Sequence, residues 1–168
     1  MSTTFHSTDW SYYDVSGATI ADAAAAIAHL PEAGSAEWHP EYHYQANEHG
    51  VITEVTVTVG TTVTLPNWTG YSSASSAEQA EWTRFIHALT AHEQGHLQLA
   101  VDHLTDIDQR MTGVSPDAAA HTWTSALGDL QRASDSYDSQ NDHGRSAGTI
   151  IDLDVVPVHT EPYEPTEI

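Results

Sequence analysis

The segment that most constrains this chain is Ala91-His92-Glu93-Gln94-Gly95-His96, an H-E-x-x-H pattern set inside a helical apolar repeat. Ser75-Ser76-Ala77-Glu78-Gln79 supplies a hydroxyl N-cap with an acid three residues on, the signature of a capped helix start. From there Trp82, Phe85, Ile86, Leu89, Leu97, Ala100 and Leu104 recur at three- and four-residue steps and make one buried stripe. At about 100° per residue, His92, Glu93 and His96 fall within or beside that stripe. A carboxylate buried between two inward imidazoles is costly unless a cation shares the site. The four-residue step also places both imidazoles one turn apart, where they can grip one Zn²⁺ with the Glu beside its open position. With 12 His in the chain, the pattern arises by random placement in roughly one such sequence in twenty, so its helical context carries the weight.

Composition narrows the remaining choices. At 168 residues the chain fits one domain with a substantial core. It carries 24 acids against four Arg and no Lys, a formal net charge of −20, which opposes binding to nucleic acid phosphates. Such acidity suits solubility in high salt, where self-repulsion is screened. Cysteine is absent, so any metal must be held by His, Asp, Glu or Tyr. No segment has the roughly 20 apolar residues of a membrane span. Met1–His6 lacks the basic start and apolar run of a signal peptide, so the expectation is a cytoplasmic chain as written, or a secreted one if this is a mature form.

Along the chain the pattern predicts an α+β fold: an antiparallel β-hairpin or sheet packed on the motif helix and further helices. Residues 1–9 read as an N-terminal extension, 10–156 as the single domain, and 157–168 as an acidic, Pro-bearing tail. Trp10–Val15 is a short extended run, and an Ala-rich helix spans about Ile20–Leu30, ended by Pro31 and Gly34. Residues 37–46 form a strand with Trp38, Tyr42, Tyr44 and Ala46 on one face, and Asn47–Gly50 makes the turn. The next strand alternates Val55, Val57, Val59, Val63 and Leu65 inward against Thr56, Thr58, Thr62 and Thr64 outward, stopping at Pro66-Asn67-Trp68. One long helix carries the motif to about Arg110, and another starts at Ser115-Pro116-Asp117 and runs to about residue 136. Tyr137–Gly144 reads as a polar loop, and Thr149–Val156 as a last strand.

A catalytic zinc wants three protein ligands and an open position. A compact H-E-x-x-H-x-x-G-x-x-H/D site would need Gly at Leu99 to break the helix. With Leu there the helix continues, Asp102 points about 240° away from His96, and His103 lies about 10 Å along the axis. The third ligand is then expected in the Tyr137–Gly144 loop, His143 first and Asp142 as the alternative. His103 is better placed to line a cleft than to share the metal.

The chain resembles the bacterial family catalogued as domain of unknown function 922 and described as zinc-dependent proteases. The resemblance rests on Tyr12–Thr19, Val63–Trp68, Trp82 and Phe85 leading into Thr90–His96, then Tyr137-Asp138 and His143-Gly144-Arg145, together covering about residues 10–150. It departs at Ala147, where Gln is usual, and in lacking the cysteine pair of some relatives. The resemblance implies a small zincin-like metallopeptidase domain, and many relatives are secreted. Zinc chemistry then gives the expected roles. His92, His96 and His143 hold Zn²⁺, and Glu93 accepts a proton from the bound water. Tyr137 or His103 supplies an oxyanion donor, and Asp138 supports a ligand imidazole. A peptide or protein substrate is expected, adding to the hairpin's edge as an extra strand. The alternative is a catalytically silent zinc-binding domain that binds a partner or sequesters metal.

Overall fold

The computed structural model describes residues 2–155, and the acidic tail expected at 157–168 lies outside them. Its organising element is a 17-residue strand, Ile52–Trp68, here β4. Three strands precede it: β1 (Ser2–Phe5), β2 (Asp9–Val15) and β3 (Ser35–Ala46). β3 and β4 form the expected antiparallel hairpin, with Ser35 opposite Thr64 and His43 opposite Thr56. β1 and β2 instead run parallel to β4, pairing Ser2–Phe5 with Thr56–Val59 and Asp9–Val15 with Thr62–Trp68. Since β3 occupies one edge of β4, β1 and β2 follow one another along the other. The sheet is therefore mixed rather than antiparallel, and Ser2–Phe5 belongs to it rather than to an extension.

Two other expectations change at strand ends. β4 continues through Pro66-Asn67-Trp68, because β2 pairs Tyr13, Asp14 and Val15 with those residues. Pro is tolerated there since β3 has already ended opposite Thr64, leaving β4 one neighbour. Thr149–Val156 is not a strand: within the described residues it is irregular, with a 3-10 turn at Leu153–Val155, and Val156 lies beyond them. Its main chain is bonded to side chains instead. Arg84 donates to the Gly148 and Ile150 carbonyls (2.8 and 2.6 Å), and the Asp152 N–H donates to Glu81 Oε1 (2.7 Å).

The helices lie against one face of the sheet. α1 (Ile20–Ala28) starts with a Thr19–Asp22 capping box, and its Ile20 N–H donates to Glu78 Oε1. α2 (Ser76–Leu104) has the expected Ser75–Glu78 box. It does not reach Arg110. Thr105 Oγ1 donates to the Val101 carbonyl (2.6 Å) and Asp106 leaves helical geometry, so α3 (Ile107–Met111) sets off in a new direction. That break turns Ile107 and Met111 inward, both fully buried. α4 (Pro116–Gln140) is capped by Ser115 with Pro at its start.

The inward residues of β4 serve two clusters. Val55, Val57 and Val59 meet Leu104, Ile107, Met111 and Leu130, while Val63, Leu65 and Trp68 meet Val15, Ile20, Trp82, Phe85 and Leu89. α2 spans both clusters, and its central turns, Leu89 to His96, are held between α4 and the start of β3. Among the described residues no helix is long and apolar enough to cross a membrane.

Candidate metal centre

The buried stripe of α2 brings His92, Glu93 and His96 inward, at 6%, 4% and 7% exposure. Their counterpart is one face of α4, where Ser134, Tyr137 and Asp138 follow at three- and four-residue steps. Asp138 Oδ1 lies 3.2 Å from His92 Nε2 and 3.0 Å from His96 Nε2, and the two imidazole nitrogens are 3.4 Å apart. Three ligand-type atoms thus converge from two helices. A tetrahedral zinc with bonds of about 2.0–2.1 Å has ligand-to-ligand edges of about 3.3 Å, close to all three separations. His92, His96 and Asp138 can therefore hold a metal ion.

The surroundings fix these rings. His96 Nδ1 is 2.9 Å from buried Ser134 Oγ, a contact that leaves Nε2 directed at Asp138. The His96 carbonyl accepts from Trp38 Nε1 at 3.2 Å, tying α2 to β3. Tyr137 wedges between the imidazoles, stacked on His92 (centroids 5.1 Å apart) and edge-on to His96 (5.0 Å). Gly95 makes this possible: a Cβ there would stand 2.3 Å from the Tyr137 hydroxyl. The motif's interior Gly, which costs a helix about 1 kcal/mol relative to Ala, is the seat for Tyr137. Burial and the neighbouring His96 hold His92 below its ordinary pKa, which keeps a neutral imidazole available as a ligand. His92 Nδ1 is buried and has no hydrogen-bond partner among the described residues.

Glu93 faces a cavity of about 620 Å³ together with the loop Pro31–Gly34, Asp138, Asp142, His143 and Ile151. Tyr13 of β2 secures that loop by donating to the Ala33 carbonyl at 2.7 Å. Gly34 lets the loop close on Glu93, since a Cβ there would lie 2.8 Å from Glu93 Oε1. Among the described residues no hydrogen bond or ion pair engages the Glu93 carboxyl group. Burial, then the carboxylates of Glu32 and Asp138, push its pKa up to about 8. The same three influences in part, burial followed by Glu93 and Asp138, raise the Tyr137 phenol.

The other expected residues fall as follows. His143 lines the cavity but is not brought to His92 and His96; its ligand atom groups with Asp138 and Glu32 instead. Asp142 lines the same cavity without joining either group. Tyr137 is a ring support whose hydroxyl is directed at Gly95, and it lines neither cavity beside Glu93. His103 sits in the last turn of α2, half-buried and also outside both cavities. Asp138, expected only to support a ligand imidazole, is the carboxylate that the structure brings to His92 and His96. α4 extends to Gln140 rather than to about residue 136. With the helix running to Gln140, the Ser134/Asp138 spacing would have shown a second inward polar stripe.

Residues 10–144 match the family described as "Bacterial protein of unknown function (DUF922)". The chain belongs to this family. The match covers β2 from Trp10, β3, β4, the motif helix and α4, so every residue of the candidate metal centre lies inside it. No curated protein and no solved structure matches the chain.

Proposed function

We propose that this DUF922 member is a zinc-dependent peptidase, with the metal held by His92, His96 and Asp138 and with Glu93 as the general base. The observation that carries this reading is Glu93 itself. A purely structural metal site has no need of an unpartnered, buried carboxylate beside its ligands, in a cavity large enough for a substrate segment. The donor set, two imidazoles and one carboxylate without thiolate, suits zinc with a position left open. Zinc bound there would polarise a peptide carbonyl and acidify a coordinated water.

The chain's own residues supply the rest. Glu93, raised to a pKa of about 8 in the metal-free protein, would be drawn back towards the ionised form by a nearby cation and so accept a proton near neutrality. It then returns that proton to the departing amine. Ser134 and Tyr137 hold the two imidazoles in orientation, and these rings with Asp138 would hold the metal beside Glu93. A peptide has a route in: a second cavity beside the first is lined by Ser35, Ala36 and Trp38 of β3 with Glu93 and His96. Among the described residues β3 pairs only with β4, so its outer edge can accept an extended strand. The acidic surface favours neutral or basic peptides.

The test compares wild type with Glu93→Gln for zinc content and for cleavage of a peptide library. Retained zinc with lost cleavage supports the enzyme. If the zinc-loaded wild type cleaves no peptide, the chain is a silent metal-binding domain instead.

A further inference from the structure

Asp138 belongs to two groups of ligand atoms. Besides the His92–His96 centre, its carboxylate lies with Glu32 and His143 in a set whose ligand atoms are all within 4.8 Å of one another. The three come from separate parts of the chain: the loop after α1, the last turn of α4, and the segment beyond it. His143 is held in place by its own backbone. Its N–H donates to the Asp138 carbonyl at 2.7 Å, and both Asp142 and His143 adopt positive φ (49° and 51°), a left-handed conformation uncommon for residues other than glycine. The arrangement thus keeps an imidazole over a carboxylate at a conformational cost.

A second observation, the set of carboxyl groups facing these cavities, points to cations there. Glu93 is 4% exposed and lines both cavities with Glu32 and Asp138, and among the described residues no hydrogen bond or ion pair engages its carboxyl group. Among the described residues no Arg pairs with Glu32, Glu93 or Asp138; the Arg ion pairs are with Glu81 and Asp129. Three carboxyl groups therefore face the same cavities with no Arg among the described residues paired to any of them. We propose that Glu32, Asp138 and His143 form a second divalent-cation site, adjoining the first through Asp138. A carboxylate has two oxygens and can serve two cations at once, and paired metals bridged in this way recur in hydrolytic centres. The mixed imidazole and carboxylate donors suit zinc, cobalt or manganese. With Glu32 and His143 exposed, the second ion binds more weakly than the first.

The site does not depend on peptidase activity, so it is tested by stoichiometry. Native mass spectrometry and calorimetric titration with Zn²⁺ on the full chain are expected to show two ions, one at least tenfold weaker. The double variant Glu32→Gln/His143→Ala should keep the tight ion, which also reports a folded centre, and lose the weak one. His96→Ala should remove the tight step. A single ion on wild type, or a second ion retained by the double variant, overturns the proposal. Two ions without cleavage of any peptide would leave this site standing and the peptidase reading fallen; one ion with cleavage would do the reverse.

Discussion

Glu93 makes the metal-free protein sensitive to pH in a way its folded geometry sets. Its pKa stands near 8 in the folded chain against a reference of 4.5. Below pH 4.5 the group is protonated in both folded and unfolded chains and contributes no pH dependence. Between about 4.5 and 8 only the unfolded chain releases the proton, so stability falls as pH rises, and the full loss is reached above 8. A gap of about 3.5 pKa units at 1.36 kcal/mol each gives a loss of the order of 4–5 kcal/mol, a large part of a domain's usual stability. Urea denaturation in EDTA at pH 5, 6, 7 and 8, followed by tryptophan fluorescence, measures it. Wild type should lose roughly 1 kcal/mol per pH unit over this range, while Glu93→Gln, with no carboxylate to ionise, should lose far less and be the more stable chain at pH 8. Zinc should remove most of the difference. Parallel curves for the two proteins would refute the idea that burial beside Glu32 and Asp138 holds Glu93 protonated.

Further expectations follow from individual contacts. Gly95→Ala should destabilise by about 1–3 kcal/mol in chemical denaturation and weaken zinc binding, because the new methyl meets the Tyr137 ring; a gain of about 1 kcal/mol, as helix propensity alone gives, would contradict the seat assigned to Tyr137. Ser134→Ala should reduce zinc affinity by about tenfold in competition with a chelating dye, since His96 loses its orienting partner; unchanged affinity would show that packing alone aligns the ring. Arg84→Ala leaves Glu81 buried beside the 148–152 segment and should cost about 2–3 kcal/mol, less than a fully buried pair because Arg84 is 43% exposed. Limited proteolysis should then open that segment first, and a double Arg84→Ala/Glu81→Ala variant should recover part of the loss. The lowered pKa of Glu81, caused chiefly by its bond to Arg84, means this contribution is present at neutral pH and fades as pH falls below the usual carboxylate range.

Much of this was legible in the residues because local signals agreed with one another. The Val/Thr alternation of 55–65, the Ser75–Glu78 cap and the inward placement of His92, Glu93 and His96 depend on short-range periodicity, and all three stand. The parallel pairing of β1 and β2 was not legible, since it joins residues about fifty positions apart with no turn signal between them. The third position was half visible. Asp138 was singled out beside His143, but the polar run from Tyr137 to Gly144 reads equally as loop or as a helix's last turn. Only the packing of α4 on α2 decides it, by setting Tyr137 over Gly95 and Asp138 over the two imidazoles. The Thr149–Val156 segment misled for a related reason: its apolar residues suit a strand, yet Arg84 and Glu81 take its main-chain groups.

The most direct test of the metal centre is anomalous diffraction at the zinc edge from crystals grown with zinc. The strongest peak should lie about 2.0–2.2 Å from His92 Nε2, His96 Nε2 and an Asp138 oxygen, with Glu93 beside it and unbound. A strongest peak that lacks Asp138, or that lies away from His92 and His96 altogether, would contradict the site.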